Sequence, residues 1–265
     1  MNTEAEDDDP PPHPISAAIE AHLHAVRDIE ACARIFVPIG AQLIIDRMKE
    51  TGAKIDELVD AAASDDEKTR TEAQAEFDRQ HTRFERLRNS QLHYQLEKSL
   101  FVGLFTCYDG FFGSLLNGLF SKKSELFNKI ERSVSFGDVM GAESIAELKA
   151  TILDQFISDT RRKSYEDQFV AMEGFFGMPL RKFPNYPAFI ESSQRRHLYT
   201  HCEGAVSSQY VSCCRAAGYK FENEPKPGER LELGPDYFFS ACHVVGEVGV
   251  KLAHTLWRKL FPEEL

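Results

Sequence analysis

An all-α fold is predicted from three observations. Apolar residues recur at spacings of three and four through most of the chain, and no alternating or continuous run is long enough to build a β-sheet. There is also no repeat of fixed period. The expected architecture is an antiparallel helical bundle, residues 91–262, preceded by a helical extension, residues 15–90.

The elements follow in order. Residues 1–14 (MNTEAEDDDPPPHP) join an acidic cluster to prolines and offer no face to bury, which predicts a disordered tail. From Ile15 to about Glu50, Ile19, Leu23, Val26 and Ile29 mark a helix that Pro38 should kink or break and that Thr51-Gly52 should end. Ile55–Ala63 reads as a short helix. Ser64, with Glu67 three residues on, reads as a capping box opening a long helix over about 65–119. The first half of that helix is laced with charge, and Gly110 or Gly113 offers a break in the second. The run from Leu100 to Phe120 is apolar enough to suggest a membrane span. Asp109, Asn117, four glycines and the lack of flanking tryptophans favour a buried core helix instead, so no membrane partner is expected.

A short helix over 122–132 and a longer helical stretch over 142–173 come next. Gly174–Pro187 is dense in Gly and Pro and reads as a loop. A helix from Pro187 through Cys214 to Gly218 carries the densest chemistry of the chain. Residues 219–235 contain Pro225, Pro227, Gly228, Gly234 and Pro235 and should be irregular, with room for a short strand at 231–233. A final helix is expected over 236–260.

Charge narrows the function. The net charge is −11 over 265 residues, a poor footprint for a protein that coats nucleic acid by bulk attraction. The acidity sits at the front: residues 1–100 hold 21 Asp+Glu against 12 Lys+Arg, residues 101–265 hold 21 against 19. Arg161-Arg162-Lys163, Arg181-Lys182, Arg195-Arg196 and Arg258-Lys259 either join into a basic patch or remain scattered solvated helix ends. The six cysteines show no C-x-x-C spacing and no secretory signal precedes them, which predicts free thiols in a cytoplasmic protein. Walker-type, G-x-G-x-x-G and nucleophile-elbow motifs are absent, and no cofactor is expected.

The stretch Arg195-Arg196-His197-Leu198-Tyr199-Thr200-His201 is the candidate site. Arg is a permanent cation whose planar donors match phosphate oxygens, and His moves protons near pH 7. Together they suit metal-independent cleavage of a phosphodiester. The same Arg-to-His spacing occurs at Arg88…His93, where neighbouring arginines on a charged stripe point to a solvated helix face. His197 and His201 at i, i+4 also have metal-ligand spacing, but no third ligand of clear spacing accompanies them.

Read from Arg195 to Tyr210, the pattern is R-R-H-L-x-x-H-x-x-G-x-V-x-x-x-Y, followed by a Pro-Gly loop and a closing amphipathic helix. In this it resembles the HEPN superfamily (higher eukaryotes and prokaryotes nucleotide-binding) over about residues 90–262. Many such domains are ribonucleases with Arg, a polar residue, a spacer and His, places filled here by Arg196, His197 and His201. Cys202 stands where relatives often have Asn. The resemblance implies an RNA-cleaving toxin or antiviral effector, homodimeric with a composite site, and restrained by an antitoxin or regulatory protein. Geometry favours a dimer too. A five-residue step turns about 140° on a helix, so Arg196 and His201 do not share a face. In the expected mechanism His201 takes the 2′-OH proton and Arg196 stabilises the pentacoordinate phosphorane. His197 steers the imidazole or protonates the leaving oxygen, and Arg195 and Tyr210 contact substrate. The alternative is a catalytically silent helical module that binds a nucleotide or a partner protein.

Overall fold

A computed structural model of the chain describes residues 12–63 and 66–264. Every extended element among the described residues is helical, and the sole β feature there is an isolated bridge between Ala205 and Arg230. The all-α expectation holds. The disordered tail expected for residues 1–14 lies mostly outside the described residues. His13 does not fit it, because its ring stacks on Trp257 with centroids 4.5 Å apart and planes 9° from parallel.

The chain forms two compact units, one holding the stretch through Ile29 together with Phe101–Leu265, the other Glu30–Leu100. The larger unit thus takes in the first residues of the stretch expected as an extension over 15–90. Ile15, Ile19 and Val26 among them are buried.

In the smaller unit, helix α1 (Pro14–Ala62, begun in the larger unit) continues through Pro38 rather than breaking. Pro38 is exposed, so the ladder hydrogen bond that its missing N–H forfeits falls where water is at hand, at little cost. Thr51 does not stop the helix either, since its hydroxyl donates to the Arg47 carbonyl at 2.7 Å. Helix α2 (Glu67–Arg88) is capped by Asp66, which accepts from the Thr69 N–H, in place of the Ser64 cap expected. The expected long helix is interrupted at 89–91, where Asn89 closes α2 and the Ser90 hydroxyl accepts from Leu92 N–H to open α3 (Leu92–Lys122). The Ser90 side chain thereby competes with the helical ladder for a local backbone group. Ile35, Phe36, Ile39 and Leu43 are exposed on α1, and few apolar residues of this unit are buried.

The larger unit is built around the apolar part of α3, which runs unbroken through Gly110 and Gly113. By length and composition α3 belongs to the one helical stretch among the described residues apolar enough to cross a membrane. Within the unit, however, Phe101, Leu104, Phe105, Leu115, Leu116 and Leu119 are fully buried. At roughly 1.5–3 kcal/mol for each such side chain, this helix supplies much of the driving force for folding. Around it pack α5 (Ile145–Arg161), α6 (Tyr165–Phe176), α7 (Tyr186–His201) and α9 (Pro235–Leu260), with α8 (Ser208–Ala216) packed against α7; α4 (Phe136–Gly141) is a short exposed turn. The stretch expected as one helix over 142–173 is split because Ser164 caps α6, its hydroxyl accepting from Asp167 N–H at 3.1 Å.

The helix expected to run from Pro187 through Cys214 to Gly218 ends at His201. Glu203 (φ 50°) and Gly204 (φ 79°) both adopt left-handed conformations, which an α-helix cannot continue through. Gly204 is required twice over, because a Cβ there would lie 2.9 Å from the Tyr199 ring. The Pro-Gly loop then returns to this turn. Val206 N–H donates to Glu229 O, Leu231 N–H donates to Gly204 O, and the Tyr199 hydroxyl donates to Leu231 O. The irregular segment expected over 219–235 is thus a clamp on the end of α7.

Candidate active site

Arg195 and Arg196 are neighbours in sequence and part company in space, as a 100° step on a helix requires. Arg195 turns inward. Its guanidinium pairs with the buried Glu191 carboxylate at 2.9 Å and lies 3.6 Å from the centre of the Tyr237 ring. Glu191 also accepts from the Tyr210 and Tyr237 hydroxyls. Tyr210 itself is 1% exposed. Substrate contact by Arg195 and Tyr210, expected from the motif, is therefore corrected: both side chains are committed to satisfying a buried carboxylate.

Arg196 turns the other way, into a polar recess of about 400 Å³. It shares that recess with His197 and Gln194 of α7, Asp109 of α3 and Tyr165 of α6. The α5–α6 junction adds Arg161, Arg162 and Lys163. The Arg196 Nε is buried and has no hydrogen-bond partner among the described residues. Across the recess the Tyr165 hydroxyl donates to Asp109 Oδ1 at 3.0 Å. Burial raises the Asp109 carboxyl above its ordinary range, opposed by that hydrogen bond and by the charges of Arg161 and Arg196. Burial, then the Asp109 charge, pushes the Tyr165 phenol up as well, so this oxygen remains a donor at neutral pH.

His197 is exposed at the rim, and its ring lies 4.6 Å from that of His201, centroid to centroid. Desolvation lowers the His197 imidazole below its ordinary value, helped by the charges of His201 and Arg196. His201, the last residue of α7, is exposed and reaches the recess only through His197. The site thus brings together Arg196 and His197 directly and His201 as neighbour of the second. Asp109 and Tyr165 were missed from the sequence. The one signal for Asp109 was a carboxylate inside an otherwise apolar run; Tyr165 carried none.

Among the described residues, no three His, Cys, Asp or Glu side chains converge on a metal-sized position. All six cysteines are free, and Cys202 serves as the C-cap of α7, its N–H donating to Leu198 O at 2.7 Å. In the smaller unit Arg88 pairs with Glu85 on an exposed helix face, as its charged stripe suggested. No protein-family model matches the chain, and no curated protein or solved structure is significantly similar to it.

Proposed function

We propose that the chain is a metal-independent endoribonuclease of the HEPN type. One observation supports this most: a guanidinium with an unused donor (Arg196) and an imidazole (His197) line the same cation-rich recess, with a second imidazole (His201) against the first. The Arg holds the phosphate oxygens and stabilises charge as the phosphorane forms. One imidazole takes the 2′-OH proton, O2′ bonds to phosphorus, and the P–O5′ bond breaks. The departing O5′ receives a proton from the other imidazole, leaving a 2′,3′-cyclic phosphate. His197 is assigned as the base because it lines the recess, where its surroundings favour the neutral, proton-accepting ring, and His201 is assigned as the acid. This exchanges the roles expected from the motif alone, since it is His197 that lines the recess.

A twofold partner would pool two such sets in one cleft, so the working form is proposed to be a homodimer. The cell would then need an inhibitor or a trigger for a toxin or antiviral effector of this kind. The test is incubation of total RNA with the protein in EDTA, with sedimentation in parallel. Wild type should release fragments ending in cyclic phosphate. His197→Ala and His201→Ala should each lose about 10²–10⁴ in rate, and Arg196→Ala about 10²–10³. If folded wild type cleaves nothing, the silent nucleotide- or partner-binding module takes this reading's place.

A further inference from the structure

The recess containing Arg196 has a neighbour. A second cavity of about 530 Å³ shares Asp109, Arg161 and Arg162 with it. Each volume is ample for a mononucleotide-sized group. The two differ in chemistry. The shared edge carries two guanidinium groups against one carboxyl, Asp109, which burial shifts toward its neutral form, whereas the rest of the second cavity presents Ser114, Asn117, Ser158 and the acid Asp154. A phosphate suits the shared edge and is repelled by Asp154. A base, with donors and acceptors along its edge, suits the uncharged and acidic part.

The wall on α3 includes two glycines about one turn apart, Gly110 and Gly113. A Cβ on Gly113 would lie 3.7 Å from Ile157 and 3.9 Å from an Arg161 guanidinium nitrogen, while a Cβ on Gly110 would meet nothing within 4 Å. The missing side chains leave the cavity open beside the cation. Arg162 is loosely held, 79% exposed with its nearest carboxylate, that of Asp159, 3.7 Å away. It can turn to a ligand without breaking a strong contact.

We propose that this second cavity takes the nucleotide next to the one at Arg196 and His197, with the linking phosphate against Arg161 and Arg162. The ligand is then single-stranded RNA, because an unpaired strand can splay a base out into a recess. The inference rests on the ribonuclease reading for its ligand class, but binding and cleavage can be separated. A labelled 2′-O-methyl hexaribonucleotide cannot be cut by 2′-OH attack, so its binding to the full chain, followed by fluorescence anisotropy, reports the groove alone.

Two variants probe it. Gly110→Leu fills the cavity while replacing a mid-helix glycine with a better helix former, which should preserve the fold. Arg161→Ala removes the shared cation. Each should weaken hexamer binding at least about tenfold with an unchanged melting temperature, and an RNA duplex of equal length should bind less well than the single strand. The proposal is overturned if wild type does not bind the hexamer, if both variants bind it within about twofold of wild type, or if the duplex binds as tightly. Should the binding pattern hold while unmodified hexamer stays uncut, the groove stands and the catalytic reading falls.

Discussion

Two adjacent arginines show how much one helical step decides. Arg195 balances a buried carboxylate, and Arg196 offers its guanidinium to a cavity. Truncating Arg195 strands Glu191 without its counter-charge, and breaking a buried pair in this way costs about 3–5 kcal/mol. Arg195→Ala should therefore lower urea stability by that amount, whereas Arg196→Ala should cost less than about 1 kcal/mol. Equal losses would mean the two faces of α7 have been misassigned. The sequence placed both arginines at the site but could not tell them apart. The distinguishing feature is Glu191, one turn before Arg195, whose burial depends on Tyr210 and Tyr237 arriving from α8 and α9. Asp109 and Tyr165 were hidden for the same reason: they meet Arg196 only after α3 and α6 have packed.

At the scale of elements, the helical stripes were legible and their ends were not. The final helix α9 falls where its apolar periodicity placed it. Pro38, a breaker by propensity, does not break α1, because its exposed position limits the cost. Conversely, Glu203-Gly204 ends α7 where periodicity ran on through Cys214 to Gly218. Propensity describes one residue's preference; whether a freed carbonyl meets water or a returning loop is a tertiary matter. Gly204 carries the strictest requirement. Gly204→Ala should destabilise by about 1–3 kcal/mol, through a positive φ that Ala resists and contact with the Tyr199 ring. Denaturant titration measures it, and an unchanged midpoint would show that the turn relaxes freely.

For the molecule as a whole, protons link the core to stability. His22 is 2% exposed, stacked on Phe111, and bonded through Nε2 to the Val245 carbonyl at 3.2 Å. Burial, the larger effect, lowers its proton affinity below the ordinary value of 6.5, against the hydrogen bond that raises it. The unfolded chain thus binds a proton here more readily than the folded one. Stability contributed by His22 is complete above 6.5 and is lost as pH falls from there toward the lower folded value. Asp109 acts with the opposite sign, its raised carboxyl favouring the folded state as pH falls. His22→Gln should flatten the decline in melting temperature between about pH 7 and 5. A slope as steep as wild type would move the acid sensitivity elsewhere.

The stacking of His13 on Trp257 carries a last consequence. The chain has a single tryptophan, so its intrinsic fluorescence comes from one indole whose face is covered by an imidazole from the start of the described chain. Emission from this protein is therefore an optical report on whether the segment at Pro14 is docked, available without a label.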